Sequence, residues 1–432
     1  MTEFPQKGLG KYDILEKWIA FEKESGFDTY DKSFFSDGLR LVSSAEIPWG
    51  DEVRHTLTEA YSRFMYLDDW HSKGVRNMHT EIIAMMGDLF HNDSATGNIT
   101  TGGTESNLVA LFTAKSRALS TGKIKAGRKP SIVLPTTMHY SFFKGCYLFD
   151  IEPIVVPPIP GTTYKMNAED MRKAVRDDTI AIAASAGNYP YGVIDPIDEI
   201  GKIALENDLY FHVDGCVGGL ILPFLEKGEI VKDIPEWDFR VKGVSSISAD
   251  FHKNGMLPPP CSCIIFRDKE LFNHARKIAP PRGTLTGTRA AGPIATAWTM
   301  IKTVGVEGFV TIAKKSWDLS VELSEGAKKL GLLDIPDRKV NFILLYSNKF
   351  DLMPVITAML NQKWVVGTTP TFPPIGMLLL TWPRNGSQVK PFLADLAKYM
   401  PLAEPIKSKA DMKVYGETYP EIFPPPGPPI KK

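Results

Sequence analysis

The chain has 432 residues, among them 50 Lys or Arg and 50 Asp or Glu, so its formal net charge is zero and charges of both signs are dispersed along it. That balance excludes a dedicated polyanion binder, and no apolar run approaches the roughly 20 residues needed to span a bilayer. With 43% hydrophobic and 23% charged residues, it has the composition of a globular protein large enough for two or three domains, which excludes disorder as the main state.

The first sixty residues read as helices and loops, including an amphipathic stretch at Tyr12–Glu24, and are expected to form a helical arm (1–60). Met1 to Trp18 carries charges throughout and has no apolar core, so no secretory signal is expected. From there to about residue 300, short runs rich in β-branched residues, 131–134, 153–156, 180–183, 209–213 and 263–266, alternate with helical segments such as 168–175 and 197–205. This rhythm predicts a mostly parallel sheet between helices, an α/β domain over 61–300. After it, a helix over 308–330, a strand at 340–346, a helix near 353–362 and a strand at 377–382 predict a smaller α+β domain, 301–423. The Pro-rich tail, 424–432, suits neither helix nor central strand.

In such sheets ligands sit beyond the carboxyl ends of the strands, so the segments following the apolar runs carry the chemistry. Thr101-Gly102-Gly103-Thr104-Glu105-Ser106-Asn107 opens an amphipathic helix, either as a simple glycine turn with a threonine cap or as an anion site built from first-turn N–H groups. It matches neither a P-loop nor a dinucleotide fingerprint. His139 follows the run ending at Leu134 and reads as a structural histidine or as a flat ring for stacking. Asp214 ends a buried run, bonded to loop amides or facing a cation. Lys253, beside His252, is a solvated loop residue or an amine in a partly desolvated cleft, able to condense with an aldehyde. One ligand unites the four segments. A phosphate at Gly103 and Thr104, a ring against His139, a protonated ring nitrogen facing Asp214 and an aldehyde at Lys253 describe pyridoxal 5′-phosphate.

The four cysteines, Cys146, Cys216, Cys261 and Cys263, are too few for a disulfide framework, which points to a reducing, cytoplasmic compartment. Cys261-x-Cys263 lacks the gap of a zinc knuckle and reads as alternation along a strand, so no metal is expected.

These motifs, with Ala186-Gly187-Asn188-Tyr189-Pro190-Tyr191-Gly192 and Tyr415-Gly416, resemble the group II decarboxylase superfamily of pyridoxal-phosphate enzymes, fold type I. Within it the resemblance is greatest to sphingosine-1-phosphate lyases and to archaeal and bacterial tyrosine/aspartate decarboxylases. It implies a homodimer with active sites at the subunit interface and a small-molecule amine substrate. Matched position by position, Lys253 takes the place of the lysine that binds the aldehyde, Asp214 of the pyridinium partner and His139 of the stacking histidine. Gly103, Thr104 and His252 correspond to phosphate contacts, and Thr288, in Gly287-Thr288-Arg289, to a hydroxyl reaching the phosphate from the other subunit. Asn188 and Tyr191 fall in a loop lining the site, as cofactor and substrate contacts respectively. The implied activity is retro-aldol cleavage of a phosphorylated amino alcohol, with amino-acid decarboxylation as the alternative. Three features depart from the lyases. Asn254 stands where an aromatic residue often follows the lysine, 256–260 lacks a basic residue often found there, and 284–289 is closer to the small decarboxylases.

Overall fold

The computed structural model describes residues 11–24, 32, 47–124, 128–158, 164–369 and 376–406. Tyr415-Gly416 and the Pro-rich tail lie outside the described residues. Seven strands, β1 (Thr96–Thr100), β2 (Ser131–Pro135), β3 (Glu152–Val156), β4 (Thr179–Ser185), β5 (Tyr210–Asp214), β6 (Ser246–Asp250) and β7 (Ser262–Phe266), form one sheet in the order β1-β7-β6-β5-β4-β2-β3. β3, β2, β4, β5 and β6 pair in parallel, and β7 runs antiparallel to both of its neighbours. β2, β4 and β7 are buried on both faces because they carry apolar side chains at successive positions. On β7, Cys263 and Ile265 enter one core and Ile264 and Phe266 the other.

Helices cover both faces. Before β1 come α1 (Lys11–Glu24), α2 (Gly50–Phe64) and α3 (Lys73–Leu89). Between the strands lie α4 (Gly103–Ser120), α5 (Ser141–Leu148), α6 (Ala168–Ala174), α7 (Ile197–Glu206) and α8 (Leu222–Lys227), and after β7 comes α9 (Lys269–Ala275). α2 extends beyond residue 60 and packs along α10 (Ala291–Lys329), close enough that a Cβ on Gly292 would lie 3.0 Å from the Tyr61 ring. The boundary placed near residue 300 falls within α10, whose helical geometry is interrupted at Gly305 (φ 60°, ψ −177°). Beyond it, β8 (Phe342–Tyr346), β9 (Phe350–Asp351), α11 (Met353–Asn361), β10 (Gly367–Thr368), β11 (Gly376–Leu380), α12 (Val389–Tyr399) and β12 (Glu404–Pro405) make the α+β part. There β8, β10 and β11 form a three-stranded antiparallel sheet over a separate core of Leu319, Leu323, Ile343, Leu345, Leu379 and Phe392.

Candidate active site

Four polar chain segments converge at the carboxyl edge of the sheet. β5 ends in Asp214, β6 ends in Asp250 and turns through 251–255, α4 begins at Gly103, and the loop after β2 carries His139. The approach is close because residue 103 lacks a side chain. A Cβ on Gly103 would stand 2.5 Å from Cys216 Sγ and 2.8 Å from Asp250 Oδ1, so any larger residue would push the start of α4 away from both strand ends.

Asp214 is 7% exposed and accepts three hydrogen bonds. Its Oδ2 accepts from Asn107 Nδ2 (3.1 Å), and its Oδ1 accepts from the Cys216 N–H (3.0 Å) and Ser248 Oγ (3.3 Å). Burial pushes its carboxyl up, but the His139 imidazole and the bonds from Cys216 more than offset this and hold it below the ordinary carboxylate range. It is therefore a buried anion at neutral pH, compensated by donors on three different elements.

Asn107 links Asp214 to the histidines. Its Nδ2 also donates to Ser141 Oγ (3.0 Å), and its Oδ1 accepts from His212 Nε2 (3.2 Å). Ser141 Oγ lies 2.9 Å from His139 Nδ1, which also accepts the Ser141 N–H (3.3 Å), so the proton of the neutral ring belongs on Nε2. Burial lowers the pKa of His139, with the Asp214 charge opposing, and burial lowers that of His212 to about 4.

The Lys253 ammonium lies 2.7 Å from Asp250 Oδ2. Burial alone would lower its pKa; the Asp250 carboxylate, assisted by Cys216 and Asp214, outweighs burial and holds it above the usual lysine range. Asp250 Oδ1 accepts from Ser262 Oγ (2.7 Å), so both carboxylate oxygens are engaged. His252 Nδ1 lies 3.0 Å from the Cys261 carbonyl and 3.2 Å from Ser262 Oγ, and its Nε2 is 3.6 Å from Asp250 Oδ2. Asn254, the residue after the lysine, is buried and spans to the α+β part. Its Nδ2 donates to the Val217 carbonyl (2.8 Å), while its Oδ1 accepts from Asn341 Nδ2 (3.0 Å) and Trp382 Nε1 (3.3 Å).

The structure thus brings Gly103, His139, Asp214, His252 and Lys253 to one edge, with Thr104 partly buried in the first turn of α4. Asn188 is buried, donates to the Tyr164 carbonyl (3.3 Å) and to Asp195 Oδ1 (3.5 Å), and leaves its own Oδ1 without a donor among the described residues. Tyr191 is outside the network just described. It is 2% exposed, stacks on Tyr164 at 4.2 Å and packs with Val193, Ile335, Leu344 and Tyr346. Thr288 is exposed in the single chain, on a loop tethered to the start of α4. Sequence reasoning left Asn107, Cys216, Ser248 and Asp250 without roles. The available signal was polar side chains one helical turn beyond Gly103 and at the ends of otherwise apolar strands. Among the described residues no group of three or more His, Cys, Asp or Glu is arranged to hold a metal, and no helix is long and apolar enough to cross a membrane. All four cysteines are buried and unpaired.

Residues 69–345, more than half of the chain, match the pyridoxal-dependent decarboxylase conserved domain. The chain belongs to this family. The decarboxylase-family chain is 35% identical over 347 residues to the sphingosine-1-phosphate lyase of Dictyostelium discoideum, covering 78% of this chain and 63% of that protein. It is 38% identical over 333 residues to a probable L-tyrosine/L-aspartate decarboxylase of Methanocorpusculum labreanum, covering 75% and 83%. It thus spans about two thirds of the length of the Dictyostelium and Drosophila melanogaster lyases (63% and 66%). Among solved structures, the sphingosine-1-phosphate lyase of Burkholderia pseudomallei superposes with a TM-score of 0.84 at 26% identity, covering 98% of this chain and 97% of that one. The glutamate decarboxylase of Lactobacillus brevis shares the fold, with a TM-score of 0.78 at 19% identity over 93% and 94%. The fold is that of fold type I, and pyridoxal phosphate is the cofactor of the family.

Proposed function

We propose that this protein is a pyridoxal-phosphate-dependent carbon–carbon lyase acting as a cytoplasmic homodimer. It cleaves a phosphorylated amino alcohol by a retro-aldol step, giving an aldehyde and an aminoalkyl phosphate. The observation that carries the reading is a half-buried amine, Lys253, in the turn after β6 and a buried anion, Asp214, at the end of the adjacent β5, within one polar cluster. Retro-aldol cleavage is favoured by the likeness to the Burkholderia lyase across almost the whole of both chains. Amino-acid decarboxylation is the second reading, supported by the 38% identity to the Methanocorpusculum protein.

The residues present fit the cofactor. Gly103 lets the first turn of α4 lie directly against Cys216 and Asp250, Asp214 is an ionised carboxylate kept dry, and the Asn188 Oδ1 acceptor has no donor among the described residues. Bound pyridoxal phosphate supplies the electron sink for the pair released when a bond at the substrate α-carbon breaks. Asp214 would hold the ring nitrogen and favour its protonated form, a preorganised charge that needs no rearrangement. Lys253 would hold the aldehyde end of the cofactor through Nζ, and Nζ, with His252 beside it, would serve as a proton carrier. The neutral His139 ring stacks on the cofactor, and Asn188 contributes a polar contact. The first turn of α4, with Gly103, Thr104 and His252, receives the phosphate. Tyr191, a substrate contact by the resemblance, is packed against Tyr164 away from this cluster and takes no direct part in it. Thr288 reaches the phosphate in a second subunit. In support of that interface, Tyr66 (90% exposed), Leu67 and Trp70 stand out beside the segment carrying Thr288, joined to it through the Asp68–Ala290 bridge. Four unpaired buried thiols suit a reducing compartment.

The test is to assay one panel of long-chain amino-alcohol phosphates and amino acids for both aldehyde and carbon dioxide. We expect aldehyde from the phosphorylated amino alcohols. Carbon dioxide from tyrosine, aspartate or glutamate, with no aldehyde from any phosphate, would replace this reading with the decarboxylase one.

A further inference from the structure

Glu105 is an acidic side chain in the first turn of the helix to which the phosphate is assigned, where a second negative charge is out of place unless its oxygens are fully engaged. They are. Glu105 is 5% exposed; its Oε2 accepts from the Thr101 N–H (2.7 Å) and Thr101 Oγ1 (2.8 Å), as a cap of its own helix would. Its Oε1 does something no helix cap requires. It accepts from the Leu285 N–H (2.8 Å), the Thr286 N–H (2.9 Å) and Thr286 Oγ1 (3.1 Å), donors about 180 positions away in the chain. The same loop is tied at its far end by Arg289, whose N–H and Nε donate to Asp69 (3.1 and 2.8 Å) and whose Nη1 donates to the Ile99 carbonyl on β1. Between these two ties lies Thr288.

We infer that Glu105 is a positioning residue that latches the 284–288 loop onto the start of α4, so that one side chain holds both the helix turn that receives its own subunit's phosphate and the loop that offers Thr288 to the phosphate of the second subunit. The inference rests on the cofactor reading above. A carboxylate accepting five hydrogen bonds from two segments fixes both, and those donors offset part of its negative charge beside the phosphate turn.

The experiment compares two aldehydes, pyridoxal phosphate and pyridoxal, which lacks the phosphate. Each is titrated into the cofactor-stripped full chain and followed by the absorbance band near about 420 nm. In Glu105→Gln an amide N–H faces one set of the donors. We expect affinity for pyridoxal phosphate to fall by about tenfold or more while affinity for pyridoxal changes by less than about twofold. Thr286→Val removes only the distant hydroxyl and should weaken pyridoxal phosphate alone, by about threefold. Equal losses for both aldehydes in Glu105→Gln would mean a general structural role and overturn the inference, as would wild-type affinity for pyridoxal phosphate in Thr286→Val. A wild type that gives no band with either aldehyde sinks the cofactor reading as well, which distinguishes the two failures.

Discussion

The chemistry of Lys253 is set by one neighbour. With Asp250 Oδ2 2.7 Å away the amine is held protonated above its ordinary 10.5, yet only the unprotonated amine can attack an aldehyde. The raised value has a stability consequence with a definite sign. The ion pair contributes fully below the unfolded-state value near 10.5 and is lost as pH climbs through the higher folded value, so it strengthens the cofactor-free protein at neutral pH and fails only in strong alkali. Its kinetic consequence has the opposite sense, because the same pair slows capture of the cofactor at neutral pH. In Asp250→Asn burial acts with much less opposition and the amine's pKa falls. Followed near about 420 nm, the pH profile of pyridoxal phosphate capture should move to lower pH by about one unit or more. Superimposable profiles for variant and wild type would show that Asp250 does not control the amine.

At the scale of elements, the site depends on how closely α4 sits on the ends of β5 and β6. Gly103→Ala places a methyl group within 2.5 Å of Cys216 Sγ and 2.8 Å of Asp250 Oδ1, in a place closed by two strands. The helix start must retreat, and affinity for the cofactor should fall by about tenfold or more, whereas Gly74→Ala in α3, with only Ser72 Oγ at 3.9 Å, should leave it unchanged. Equal affinities in the two variants would show that the helix start tolerates the shift. The same contrast explains what was legible beforehand. β4, β5 and β7 are apolar runs bounded by turns, so periodicity finds them, and their ends mark Asp214. β1, Thr-Gly-Asn-Ile-Thr, has the composition of a loop. It becomes a strand only because Gly97 lets the Ile264 carbonyl approach, where a Cβ would stand 2.1 Å from that oxygen. Asn107 and Asp250 are polar positions within regular elements, and their roles come from partners across the sheet edge, which no local pattern encodes.

At the scale of the molecule, the lysine turn is tied to the α+β part. Asn254 joins the two through Asn341 and Trp382, so the asparagine that departs from the lyase pattern adds a polar tie to the packing of Val340, Phe342 and Leu378 on the large core. The 284–289 loop, held from within by Glu105 and Asp69, presents Thr288 outward, where a second subunit can use it. If Thr288 serves the other subunit, two inactive variants should repair each other. Lys253→Ala lacks the amine but keeps the hydroxyl, and Thr288→Glu keeps the amine but sets a charge against the phosphate. In a mixed dimer one site combines both lesions and the other has neither. After subunit exchange in equal amounts, half of the dimers are mixed and each carries one intact site, so activity should return to about a quarter of the wild-type value per site. A hydroxyl acting within its own chain gives no intact site in any combination. Mixtures no more active than the sum of the separate variants, with exchange verified by mass, would therefore place Thr288 in its own subunit's site or outside the site altogether.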